Sequence, residues 1–247
     1  LSVKDNKDIL RVKDASFDIR GGEILGISGV AGSGQKELIQ AIIGLCSPEA
    51  GAELFIDGIS LSNKSIADRR KMGMGYVAQD RNKVGTNREG AIWETAIMGY
   101  HLLQDMVGKF IINYKEVNRF TNDIVIDYAV KTENINNKVR TLSGGNVQKL
   151  LVGREFSQDK RLLIIEDPTR GIDVGAIEFI WKKIIEIAAS GVAILLVSHD
   201  LNEIMQLSDR CLVMYNGELY PVTAENLHDE RAIGLLMLGG AACEAKS

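Results

Sequence analysis

Leu162-Leu163-Ile164-Ile165 is an unbroken aliphatic run that ends in Glu166-Asp167-Pro168. A strand with one wet face alternates, whereas one that is apolar throughout is covered on both faces, as in parallel sheets flanked by helices. The chain is therefore expected to be α/β. The run is expected to deliver its acids to the C-terminal edge of a sheet, where open α/β folds keep their ligands. Two carboxylates there can hold a metal and polarise a water. Ala193-Ile194-Leu195-Leu196-Val197 is a second run of this kind, ending in Ser198-His199-Asp200.

Two glycine-rich stretches supply what such an edge needs to hold an anion. Thr141-Leu142-Ser143-Gly144-Gly145-Asn146-Val147-Gln148-Lys149 opens a helix. The first turn of a helix leaves backbone N–H groups unpaired and carries the positive end of the dipole, so Ser143, Gly144 and Gly145 present amides and a hydroxyl to an anion. The other stretch follows the short apolar strand Glu23-Ile24-Leu25-Gly26-Ile27. It reads Gly29-Val30-Ala31-Gly32-Ser33-Gly34-Gln35-Lys36, after which Leu38, Ile39, Ile42, Ile43 and Leu45 recur at helical spacing.

Strand, glycine loop, helix is the context of a P-loop. The motif places lysine after the last glycine and a hydroxyl after that, but Gln35 and Lys36 stand there, followed by Glu37. The glycines still admit backbone N–H groups to a phosphate. Missing are the point charge that reaches the β and γ oxygens and the hydroxyl that ligates magnesium. Lys36 sits one residue further on, about 100° round the helix. At the tip of a buried strand, beside a strand that ends in carboxylates, His199 is in range of a γ-phosphate or its attacking water. Gln79, at the end of the strand Met74-Gly75-Tyr76-Val77-Ala78, can ligate magnesium and sense the same phosphate.

The rest of the chain builds a frame around these parts. Residues 8–19 alternate as an antiparallel strand pair would, and 51–61 read as a hairpin turning at Asp57-Gly58. The polar loop 81–90 reads as a mobile connection, and from 91 to about 158 the pattern is helical. Asn113 can cap a helix with Glu116 three residues on, and Val117, Phe120, Ile124 and Tyr128 then share a face that reads as core packing. A helix is expected from Gly175 to Ala189, a hairpin at Asn216-Gly217 and a helical tail over 221–247.

At 247 residues, 45% hydrophobic and 25% charged, the composition is that of one large globular domain, or one with an inserted lobe. A net charge of −4 gives no basic field for nucleic acid, and Lys64, Arg69, Arg70 and Lys71 read as a solvated helix face. Cys46, Cys211 and Cys243 lie far apart without metal spacing, which points to a reducing compartment and no disulfide framework. No stretch is long and apolar enough to span a membrane. A start at Leu1 without methionine suggests a domain of a longer polypeptide.

Leu142-Ser143-Gly144-Gly145-Asn146-Val147-Gln148 resembles the signature motif of ABC-transporter ATPases. The other motifs of that family follow in its order: phosphate loop 29–36, Q-loop at Gln79, Walker B strand 162–167, D-loop at Gly171-Ile172-Asp173 and switch histidine at His199. More narrowly, the run Pro168 to Ala176, the Gln79-Asp80-Arg81 tip and the altered phosphate loop are similar to the second, C-terminal ATP-binding half of tandem-domain importers for ribose, galactose and nucleosides. The resemblance implies the ABC ATPase fold: an α/β P-loop NTPase core with a mostly parallel sheet, an antiparallel β subdomain and an inserted α-helical subdomain. The whole of 1–247 would be one such domain, with core and β parts at about 1–88 and 159–247 and the helical part at about 89–158.

What the resemblance implies for chemistry is ATP with Mg2+, bound between two such domains. Each nucleotide is held by the phosphate loop of one domain and the signature of the other. Gly29 to Lys36 would line this chain's own site, with Glu166 and Gln79 toward magnesium, Asp167 where the catalytic glutamate is expected, and His199 as the switch. Ser143, Gly144 and Gly145 would cap the partner's ATP. The implied partners are a second ABC domain, as the other half of the same polypeptide, and permease subunits at the cytoplasmic face of a bacterial inner membrane, with no nucleic acid.

The departures fall on one side. The phosphate-loop lysine and hydroxyl are gone, Glu166-Asp167 reverses the family's Asp-Glu, and no aromatic precedes Phe17 to stack on adenine. Exchanging the acids moves one carboxylate out and the other back by about an ångström, enough to misplace a water held for in-line attack. The expected result is a weak own site beside an intact signature. One reading is a motor component of an importer; another is a regulatory or structural half with negligible turnover of its own. A third, a soluble ABC protein acting on ribosomes or DNA, is disfavoured by the acidic balance.

Overall fold

A computed structural model describes residues 1–101, 106, 107 and 111–240. Cys243, the end of the expected helical tail and parts of the helical stretch at 102–105 and 108–110 lie outside the described residues. The strands in chain order are β1 (Val3–Lys4), β2 (Leu10–Val12), β3 (Ile24–Ser28), β4 (Phe55–Ile56), β5 (Ile59–Ser60), β6 (Met74–Val77), β7 (Leu162–Glu166), β8 (Ala193–Val197), β9 (Arg210–Tyr215) and β10 (Glu218–Pro221). The helices are α1 (Gln35–Ile43), α2 (Ile66–Lys71), α3 (Ile92–Ile97), α4 (Tyr114–Asp127), α5 (Gly144–Phe156), α6 (Val174–Ala189), α7 (Leu201–Leu207) and α8 (Glu230–Met237). They fall into two compact units.

The first unit comprises Leu1–Met74, Arg161–Asp167 and the chain from Ile185 onward. Its sheet runs β10-β9-β3-β8-β7. β3 is parallel to both β8 and β9, and β7 is parallel to β8. The unbroken apolar runs explain this arrangement: β3 and β8 are buried at every position, and so is the middle of β7. The register Leu163↔Ile194 and Leu25↔Leu195 brings three strand ends level, β3 running into the glycine loop, β7 into the acids and β8 into His199.

Two hairpins turn where the sequence predicts. Asp57-Gly58 (φ 49 and 74) joins β4 to β5, and Asn216-Gly217 (φ 49 and 87) joins β9 to β10. Both centres have positive φ, as a tight turn matching strand twist requires. The strand pair expected within 8–19 does not form there, since that stretch holds the single strand β2 and its partner lies before it. β2 pairs back onto β1, and the ladder stops before Asp14, whose φ of 47 is held by a hydrogen bond to Ser2 Oγ. The basic stretch is not uniformly solvated either. Arg69 is buried on α2, with its guanidinium donating to the carbonyls of Ala41 (2.8 Å), Leu61 and Lys64. A cation suits the C-terminal end of α1, where carbonyls lack partners.

The second unit comprises Gly75–Lys160 and Pro168–Ile184. Asn113 caps α4 by accepting from the Glu116 amide (3.4 Å). Val117 lies in a core with Ile97 and Met106, against which Phe120 and Trp93 pack. α4 and α5 meet at Gly153, where a Cβ would fall 2.6 Å from Ile124 Cγ2 and 2.9 Å from Tyr128. The expected open loop at 81–90 instead begins with a π-helical turn, Arg81–Gly85. The Asp80 carboxylate accepts from the amides of Asn82 (3.1 Å) and Lys83 (3.0 Å), which winds the chain there. Among the described residues no helix is long and apolar enough to cross a membrane.

Candidate functional site

The glycine loop of the first unit is closed by its own backbone. The Ser33 amide donates to the Val30 carbonyl (3.2 Å), and the Gly217 amide donates to Ser33 (2.8 Å). Gly34, at φ 114, approaches Arg11 so closely that a Cβ would fall 2.3 Å from its carbonyl oxygen. Gly34 precedes α1 and no side chain caps that helix, so its first-turn amides remain available to an anion.

Gln35 occupies the position where a phosphate loop carries lysine. It is buried, and its Nε2 donates to the Val30 carbonyl (3.3 Å). A Cβ on Gly29 would fall 2.4 Å from the same Nε2. A neutral amide is thus folded into the loop. Ser33 is buried beside it, while Val30, Ala31, Gly32 and Lys36 are exposed.

At the neighbouring strand ends, Glu166 is half-buried and Asp167 is buried. Asp167 is held at φ 39, a conformation that costs an L-residue about 1–2 kcal/mol. Its amide donates to the Val197 carbonyl (2.9 Å), which ties β7 to β8 one residue past the ladder. Its carboxylate accepts from the His199 amide at Oδ1 (2.9 Å) and faces His199 Nδ1 at 2.9 Å from Oδ2. A carboxylate facing Nδ1 favours the tautomer with the imidazole proton on that nitrogen. Ser28 Oγ donates to the Ser198 carbonyl (3.2 Å), fixing the ends of β3 and β8 together. The first unit therefore gathers the loop 29–36, Glu166, Asp167 and His199 at one sheet edge.

The donor set fits magnesium only in its leaner form. Among the described residues no three His, Cys, Asp or Glu side chains cluster as metal ligands, and Lys36 holds the place of the ligating hydroxyl. One carboxylate, Glu166, suits a magnesium that takes its remaining oxygens from phosphates and water.

The second unit holds the remaining motif residues. Gln79 is half-buried just past β6. Ser143 is exposed at the N-cap of α5, its Oγ accepting from Asn146 Nδ2 (2.9 Å) and more distantly from the Asn146 amide (3.4 Å). Asn146 Oδ1 in turn accepts from the Lys131 amide (2.8 Å). Gly144 and Gly145 form the first turn behind it, Gly145 buried. Sequence reasoning missed the side chains that surround these glycines, Arg81 and Asp173. The quoted Gln79-Asp80-Arg81 tip and D-loop contain both, but their partners are set by folding.

A family model described as ABC transporter matches residues 12–170, more than half of the chain. The guanosine import ATP-binding protein NupO of Bacillus subtilis (strain 168) is 37% identical over 245 residues, covering 99% of this chain and 48% of its own length. The glucose import ATP-binding protein TsgD13 of Haloferax volcanii is 39% identical over 244 residues, covering 97% of this chain and 44% of its own. The chain thus spans about half the length of the curated relatives it matches. Among solved structures, a dimeric post-hydrolysis state of the ATP-binding cassette MJ0796 bound to ADP and Pi aligns with a TM-score of 0.76 at 20% identity. That alignment covers 90% of this chain and 94% of the cassette, and it shows a shared ABC ATPase fold.

Proposed function

The chain belongs to the ABC transporter family, and on that premise we propose that it is the C-terminal ATP-binding half of an importer for a nucleoside or sugar. In this reading its own nucleotide site is weak, and its signature completes a competent site on a second ATP-binding domain. The observation that carries it is Gln35, a buried amide bonded to Val30 in the seat of the phosphate-loop lysine, in a chain whose Ser143-Gly144-Gly145 turn is intact.

In the proposed mechanism the amides of Gly29 to Lys36 donate to a nucleotide's phosphates, with the neutral Gln35 in the place of the phosphate-loop lysine. Magnesium, when bound with the nucleotide, would be held by Glu166 on the first unit and would neutralise phosphate charge. Asp167 orients His199 and favours its proton on Nδ1, the tautomer in which Nε2 can accept from the O–H of a water. In the other direction, the Ser143 hydroxyl and the dipole of α5 steady the γ-phosphate of ATP bound by the partner domain. Chain length relative to the relatives supports a second ATP-binding domain in the same polypeptide. The helical second unit would pass closure on to permease subunits at the cytoplasmic face of the membrane. Met98, Ile111 and Tyr114, left exposed there, are apolar enough to serve.

The test compares ATP affinity and steady-state turnover of this chain with those of the double variant Gln35→Lys, Lys36→Ser. An inert, weakly binding wild type whose affinity is recovered in the variant supports the reading. Wild-type turnover on the order of 1 per second or faster would overturn it.

A further inference from the structure

Arg81 leaves the tip after β6 and turns inward within the second unit. Its guanidinium donates from Nη1 to the carbonyl of Arg170 (2.6 Å) and from Nη2 to that of Gly171 (3.1 Å). The same Nη2 lies so near Gly144 that a Cβ there would fall 3.0 Å from it. Beside it, Asp173 accepts from the Ala176 amide at Oδ1 (3.0 Å), while a Cβ on Gly145 would fall 3.0 Å from Oδ2. The two signature glycines therefore make room for a cation and an anion of their own chain. Three segments remote in sequence meet at one side chain.

A guanidinium holds its N–H groups in one rigid plane, so a fork over two successive carbonyls fixes the peptide between them. Gly171, at φ 65, has a backbone that would otherwise be among the freest in this turn. We propose that Arg81 is a positioning residue that latches the 170–173 turn onto the signature turn, so that Asp173 and Ser143-Gly144-Gly145 close on a ligand as one piece. Its charge also lies beside the first-turn amides of α5 and adds to the positive potential there. The role in ATP turnover rests on the reading above that this signature completes a site in trans; the latch itself does not.

Arg81→Lys and Arg81→Ala in the full-length polypeptide assembled with its permease test this. Lysine keeps the charge but cannot hold both carbonyls in a plane. Amide hydrogen exchange at Gly171 and Ile172 is expected to rise about tenfold in both variants, with exchange in α4 unchanged. The kcat for ATP is expected to fall about tenfold with KM within about twofold. Unchanged exchange in Arg81→Ala, or lysine restoring both readouts, overturns the latch. Raised exchange with an unchanged kcat, in a transporter that turns over ATP, overturns the positioning role. Raised exchange in an assembly whose wild type does not turn over ATP sustains the latch and removes the trans-site reading instead.

Discussion

Cys211 sits in β9 with its side chain in the core, and burial pushes its thiol up from an ordinary 9.0 to about 12. The unfolded thiol loses its proton near 9 and the folded one near 12, so between those values the folded state binds more protons. Stability is then fully present below about pH 9 and falls as pH rises toward 12, by up to about 1.4 kcal/mol per pH unit. Chemical denaturation between pH 9 and 11 checks this: the fall should be shallower in Cys211→Ala by that amount, and equal slopes would sink it. At this scale the sequence is legible where a residue type departs from a pattern, as at Gln35. It is not legible where a partner is chosen by folding. The neighbouring acid and imidazole strands predict that Asp167 and His199 come near each other. That Asp167 would adopt φ 39 to meet the ring follows only from the register of β7 and β8.

In the second unit, α5 carries a buried charge network at the end opposite its glycines. Arg154 and Glu155 are both buried and paired at 3.0 Å, and Arg154 also donates to the carbonyl of Gly85 (2.9 Å). Glu155 accepts from the Tyr76 amide (3.2 Å) and from the Tyr100 hydroxyl, which accepts from Lys160 (2.9 Å). This joins β6, the π-helical turn, α3 and the signature helix without relying on apolar packing alone. Arg154→Met takes one buried cation out of this network and leaves the Gly85 carbonyl without its donor, so it should destabilise the chain by about 3 kcal/mol, read by urea denaturation. A loss under about 1 kcal/mol would mean that the rest of the network, Lys160, Tyr100 and Tyr76 included, suffices for Glu155. Helical spacing reveals α5, but adjacent charges inside a helix read as solvated. Only the packing of α3 and the turn at 81–85 against α5 shows them buried.

At the scale of the whole molecule, the parallel sheet is the best-announced feature, because residues apolar at every position admit few other environments. Strand order is not announced: β8 lies between β3 and β7 although β7 precedes it in the chain. That order brings His199 between the glycine loop and the acids. On the proposed function, the glycine loop of one unit and the signature turn of the other make opposite demands on a mutation in the complete transporter. On the proposed function, Glu166→Gln touches only this chain's own loop site and is expected to leave ATP turnover within about threefold of wild type. Gly145→Asp puts a carboxylate beside Asp173 in the first turn of α5, where like charge is unfavourable and an anion's amides are blocked. Turnover there should fall by about 100-fold or more, the scale of losing an oxyanion-type donor. The two variants together separate the models. Equal losses would mean two equivalent sites, whereas a loss confined to Gly145→Asp places the working site where this chain contributes its signature and the other domain contributes the phosphate loop.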